Sequence, residues 1–133
     1  MARSMPILEL GAAGLAMDVV GHGRVPRAFS IHGDGIAVET ADAVDIVVAR
    51  LTFAPGSAPR RRSRPGVMLG AVIRGSVTRY AAEDCNAETY PTGLAFVEGG
   101  LTDGSMIRNE GSGDAEVIVV LLTPSLSPPR PPT

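Results

Sequence analysis

The sequence predicts an all-β protein, a single sandwich or barrel built from many short strands. Three observations predict it. Gly and Pro recur at short intervals, at Gly33-Asp34-Gly35, Pro55-Gly56, Pro65-Gly66, Gly75, Pro91, Gly93, Gly99-Gly100, Gly111 and Gly113. The runs between them are short and rich in β-branched residues, the rhythm of antiparallel strands joined by tight turns. No stretch sustains a 3.6-residue apolar period, so helices should be few and short.

In chain order, strands are expected over residues 29–32 and 36–39, on either side of the Gly33-Asp34-Gly35 turn. The strongest lies over 44–53, where Val44, Ile46 and Val48 leave little room for a polar face. Residues 67–74 and 76–81 flank Gly75 and read as a hairpin. Residues 94–97, 105–109 and 116–122 complete the set. The prolines from Pro124 onward cannot donate ladder hydrogen bonds, so an extended tail is expected there. The 133 residues are then divided into an N-terminal extension (1–25), a barrel domain (26–124) and a Pro-rich tail (125–133).

Composition narrows the function. A net charge of −2 argues against a surface built to coat nucleic acid or an anionic membrane. With no Trp, two Tyr and three Phe, there is no stacking platform for bases or sugars. Cys85 is the only cysteine, which removes an intrachain disulfide and a thiolate cluster from consideration. Glu9 and Asp18 interrupt the moderately apolar stretch 7–20, and no segment approaches the ~20 apolar residues of a spanning helix. A soluble, cytoplasmic protein is expected.

From residue 28 to residue 124 the chain resembles the small single-domain cupins. The resemblance is carried by Leu51-Thr52-Phe53-Ala54-Pro55-Gly56, by Arg64-Pro65-Gly66, and by Val72-Ile73-Arg74-Gly75 running on to Tyr80. Gly93 to Gly100, Arg108-Asn109-Glu110-Gly111 and Ala115-Glu116-Val117-Ile118 follow in order. It implies a cupin-type jelly-roll β-barrel with a small-molecule site inside and a homodimeric assembly. It also implies a metal held by two His on one strand, a Glu and a third His. The matching positions here are Arg62 and Arg64, then Val67 or Met68, then Gly104 or Ser105. Guanidinium has no lone pair to donate and stays protonated. The expectation is therefore a barrel with no metal and no cofactor; His22 and His32 lie outside the motif.

Alternation puts Arg60, Arg62 and Arg64 on one strand face. Arg62 and Arg64 read either as a clamp for a substrate carboxylate, enolate or phosphate, or as a solvated loop, or as inward arginines paired with acids such as Glu98. Glu98, Asp103 and His32 are the candidate acid–base groups. Met68, Tyr80, Ser105 and Ile107 are the candidate substrate-contacting residues. Tyr80 and Tyr90 also read as packing residues with a wet hydroxyl. The implied activity is non-redox, a cyclase, an isomerase or a lyase (dehydratase or decarboxylase), of the kind cupins perform in polyketide and other secondary metabolism. The alternative is a binding or sensor protein without turnover.

Overall fold

The computed structural model describes residues 14–58, 66–81, 86–99 and 105–125. Among them are ten strands and no helix. They are β1 (Leu15–Val25), β2 (Phe29–Gly33), β3 (Ile36–Thr40), β4 (Val44–Phe53), β5 (Val67–Arg74), β6 (Ser76–Tyr80), β7 (Ala87–Pro91), β8 (Ala95–Gly99), β9 (Met106–Arg108) and β10 (Ala115–Pro124). Five make one antiparallel sheet in the order β1-β4-β10-β5-β8, three make a second, β7-β6-β9, and β2 pairs with β3 alone. This all-β, jelly-roll arrangement is the expected one.

Period-two patterning decides which way each strand faces. Along β10, Ala115, Val117, Val119 and Leu121 are buried and the residues between them are not. Met68, Gly70 and Val72 on β5, and Phe96 and Glu98 on β8, point the same way. They join Ala49, Leu51 and Phe53 of β4, with Val77 of β6 and Ile107 of β9, in one core cluster. The core is thus the space between the five-stranded and three-stranded sheets.

Two glycines are required by this packing. At Gly70, a Cβ would stand 2.6 Å from the Phe96 ring on the neighbouring strand, so the missing side chain makes room for the aromatic one. Gly75 has φ +68°, and a Cβ there would meet the Asp114 carbonyl at 3.0 Å.

Three expectations are corrected here. Strands β5 and β6 do not form a hairpin: Gly75 is a one-residue corner, too short for a hairpin loop, and it passes the chain from one sheet into the other. Leu15–Val25, taken as part of an extension, is an edge strand of the large sheet paired along β4. Its Gly21-His22-Gly23 stretch and a bulge between Val19 and Gly21 break the apolar alternation that marks a strand. Strand β7 was not anticipated, because Glu88 and Thr89 give it little apolar pattern. Residues 126–133 of the expected tail lie outside the described residues. No helix among the described residues is long and apolar enough to cross a membrane.

Asn109 closes one end of the barrel. It is 1% exposed; its Nδ2 donates to the carbonyls of Phe53 (2.8 Å) and Gly113 (2.9 Å), and its Oδ1 accepts from the Gly111 amide (3.0 Å). Its backbone also bonds Gly56 and Ser57. Removing the amide leaves buried groups unsatisfied, so Asn109→Ala should cost about 3 kcal/mol in urea unfolding. A loss below about 1 kcal/mol would contradict this account of the closure.

Candidate functional site

Strand β8 carries a carboxylate where its pattern calls for an apolar side chain. Phe96 and Glu98 both face the core, and the Glu98 side chain is 0% exposed. Directly across the ladder on β5 is Met68, 1% exposed. An ionised carboxylate removed from water needs a charged or strongly hydrogen-bonding partner. Arg79 of β6 supplies it, its Nε donating to Glu98 Oε2. Since β8 and β6 belong to different sheets, the ion pair spans the barrel interior. The Arg79 side chain is 23% exposed, which sets the pair at the edge of the core, with one member dry and the other in reach of water.

Around it the register assembles a wall. Arg79 lies opposite Ile107 of β9 on one side and Glu88 of β7 on the other. Ile107 is 1% exposed and Ser105, two residues earlier, is fully buried. The Ser105 hydroxyl finds no hydrogen-bond partner among the described residues. Tyr90 of β7 packs its ring on Phe96, centroids 5.2 Å apart and tilted by 46°, and donates its hydroxyl to Glu88 Oε1 at 2.7 Å. Burial first, and then the Glu88 carboxylate, push the Tyr90 phenol above its ordinary value; the field of Glu98 adds to this and that of Arg79 opposes it. Glu88, Tyr90, Arg79 and Glu98 therefore form one electrostatic neighbourhood.

The fold brings together four of the residues singled out from sequence: Glu98, Met68, Ser105 and Ile107. Of Val67 and Met68, Met68 is buried and Val67 is exposed. Tyr80 alternates with Arg79 and turns the other way, its hydroxyl on Glu110 in an exposed position. His32 sits on the β2–β3 hairpin, its side chain 65% exposed, with Nε2 2.9 Å from Ser30 Oγ and 3.6 Å from a Glu39 carboxylate oxygen. The hairpin is a sheet of its own, so His32 is not brought to the barrel interior. Arg62, Arg64 and Asp103 lie outside the described residues.

Sequence reasoning missed Arg79. The signal was present: Val77, Arg79 and the apolar neighbours of β6 share one face by alternation. Among the described residues no group of three His, Cys, Asp or Glu side chains is placed to hold a metal.

These features define a small two-sheet β-barrel with an ion pair in its interior. Comparison with solved structures gives the fold its name. The chain is similar to the Cupin_2 domain of an XRE family transcriptional regulator from Enterobacter cloacae (TM-score 0.50, 18% identity, covering 60% of this chain and 83% of that one). It is similar to a predicted oxalate decarboxylase from Thermotoga maritima (0.51, 14%, 63% and 84%). It is also similar to the polyketide cyclase RemF from Streptomyces resistomycificus (0.53, 13%, 59% and 55%). The chain has a cupin-like fold. No protein-family model and no curated protein matches the sequence.

Both tyrosines should titrate late. Tyr90 is raised by burial and Tyr80 by its hydrogen bond to Glu110, each from an ordinary value of 10.0. A raised folded value means that the stability tied to each phenol is complete below pH 10.0 and is lost as pH climbs through the folded value. Phenolate absorbance should therefore appear only above pH 10.0, and Tyr90→Phe should remove one of the two steps. A tyrosine ionising below pH 10.0 in the folded protein would contradict the placement of these hydroxyls.

Proposed function

We propose that this barrel binds a small organic substrate in its interior and rearranges it by proton transfer at Glu98, without a metal or a redox cofactor. The observation that carries the reading is a buried carboxylate held by an arginine inside a wall of Met68, Phe96, Ile107 and Tyr90. A dry interior with few polar groups is what a small-molecule site requires.

The chemistry follows from the pair. Arg79 holds the Glu98 carboxylate in one orientation through Nε and keeps further N–H donors on the same planar fork. A substrate with an acidic C–H beside a carbonyl gives that proton to Glu98. The electron pair moves onto the carbonyl oxygen, and the guanidinium stabilises the enolate, in the manner of an oxyanion hole. A conjugated enolate then takes the proton back from Glu98 at a different carbon, which is isomerisation, or the enolate carbon attacks a second carbonyl of the same chain, which closes a ring and leaves an alkoxide that takes that proton from Glu98 to become a hydroxyl. Glu98, again a carboxylate, then removes the second α proton and delivers it to the departing hydroxyl, so that water leaves, a double bond forms and the carboxylate is regenerated, which completes a cyclodehydration. The apolar wall folds the substrate and excludes water. Likeness to a polyketide cyclase supports a cyclising or isomerising step in polyketide or other secondary metabolism. Likeness to the cupin domain of a transcriptional regulator favours a second reading, in which the same interior senses a ligand without turnover.

Deletion of the gene from its source organism should cause accumulation of a precursor with the mass of the lost product, or heavier by one water. Wild-type protein should restore the product, while Glu98→Gln should restore at most about one hundredth of it, the usual scale for removing a positioned acid–base group. Full restoration by Glu98→Gln would remove Glu98 from the chemistry. A change in metabolite amounts with no new intermediate would sink the enzyme reading and favour the sensor.

A further inference from the structure

The polar or charged side chains buried among the described residues are those of Ser57, Thr78, Glu98, Ser105 and Asn109. Thr78 shares a hydrogen bond with Thr89 at 3.0 Å, Glu98 meets Arg79, and Asn109 gives its amide to the carbonyls of Phe53 and Gly113. The hydroxyls of Ser57 and Ser105 make no hydrogen bond. A buried hydroxyl without a partner has lost water and gained nothing in exchange, so each needs a reason.

For Ser57 the reason is local packing. Its amide bonds the Ala54 carbonyl, and its carbonyl takes the Asn109 amide. A Cβ added at Gly14 would stand 2.9 Å from the Ser57 Cβ, so the residue before β1 is pressed onto it. Ser57 belongs to the end of the barrel that Asn109 closes. Ser105 stands elsewhere. Burial alternates along this stretch, with Ser105, Ile107 and Asn109 buried and Met106 and Arg108 not. That alternation sets Ser105 on the inward face, about 13 Å along the chain from Asn109 at ~3.3 Å per residue. The ladder places Ile107 opposite Arg79, so Ser105 is the diagonal neighbour of Arg79, at roughly 7–8 Å. The inward face of the three-stranded sheet thus carries two donors: a guanidinium bound to Glu98, and a hydroxyl whose hydrogen can turn to any acceptor brought near.

We infer that Ser105 holds a second carbonyl oxygen of the substrate, which makes that substrate a dicarbonyl chain whose two oxygens lie several bonds apart. The inference rests on the proton-transfer reading of Glu98. On that reading Arg79 takes the oxygen of the carbonyl that becomes an enolate. The Ser105 hydroxyl donates to the other carbonyl, polarises it and directs its carbon to the enolate. As the new carbon–carbon bond forms, the π electrons of that carbonyl move onto its oxygen, and the hydrogen bond from Ser105 strengthens with the charge. Ser105 keeps its own proton, and the alkoxide takes one from Glu98. A chain lacking this hydroxyl still forms the enolate, so isomerisation stays open while ring closure slows.

The test uses the full-length protein in D2O and two probes followed by proton NMR: 2,6-heptanedione, with two carbonyls, and 2-heptanone, with one. Wild type should exchange α hydrogens on both probes and bind the diketone about tenfold more tightly, the scale of one added hydrogen bond. Glu98→Gln should exchange neither. Ser105→Ala should bring the diketone to the affinity of the monoketone, a loss of about tenfold or ~1.4 kcal/mol. Its binding and exchange of the monoketone should match wild type. Ser57→Ala removes a hydroxyl that is also buried and unpartnered, and should leave both probes unaffected. A wild type that does not prefer the diketone, or a preference that survives Ser105→Ala, would overturn the assignment and leave the Glu98 chemistry standing. Loss of monoketone exchange in Ser105→Ala would make the hydroxyl structural and overturn it too. Absence of exchange on either probe by wild type would instead remove the proton-transfer reading, and this assignment with it.

Discussion

Burying one carboxylate in a space lined with methionine, phenylalanine and isoleucine sets the terms for the rest of this barrel. Glu98 cannot stay ionised there without a partner, and the partner must come from the opposite sheet, because its own strand neighbours are Met68 and apolar side chains. Arg79 therefore has to face inward from β6, and β6 has to lie against β8. The corner at Gly75 makes this possible by taking the chain out of the large sheet just before Arg79. The interior is thus the mechanical link between the sheets. Removing one partner of a buried pair typically costs ~3–5 kcal/mol, whereas replacing both with well-packed apolar groups is often nearly neutral. A pair retained for stability alone would have an easy apolar substitute.

Other links between the sheets are apolar or neutral. Tyr90 of β7 leans on Phe96 of β8, and Asn109 at the end of β9 holds the Phe53 carbonyl of β4. Surface ion pairs do different work. Glu116, between Arg74 at 2.9 Å and Arg50 at 3.8 Å, is in contact with solvent-exposed guanidinium groups, and such pairs contribute little. Asp45, bonded to Arg24 at 2.9 Å, has its carboxyl held below the ordinary value by that hydrogen bond. Its small contribution is present above the ordinary carboxylate range and fades as pH falls through the lowered value.

Much of the architecture was legible because strands announce themselves through alternation and turns through glycine. β4, β5 and β10 could be read directly, and Met68 and Ile107 were expected to line the interior, while Glu98 was expected near the barrel mouth and is buried. What escaped lay where local pattern is weak or where tertiary context decides. β1 was hidden by Gly21 and Gly23 and by the bulge between Val19 and Gly21, which break its apolar alternation. β7 was hidden by its polar residues. The β5–β6 corner looked like a hairpin because sequence shows a glycine between two strands but not which sheet each joins. Four arginines cluster at 60–64 in the sequence, while the arginine that meets Glu98 stands alone at position 79. Tyr80 and His32 were plausible by type, yet the one-residue offset from Arg79 turns Tyr80 outward, and the hairpin carries His32 away from the interior.

The central claim is that Arg79 and Glu98 act as a unit inside the barrel. A double-mutant cycle in urea unfolding tests it most directly, with Arg79→Met, Glu98→Gln and the double variant compared with wild type. The account predicts that Arg79→Met alone is the most damaging of the three and that the double variant recovers much of the loss, giving a coupling of about 2 kcal/mol or more. Additive losses, with coupling below about 0.5 kcal/mol, would show that the two residues do not meet and would contradict the account at its base.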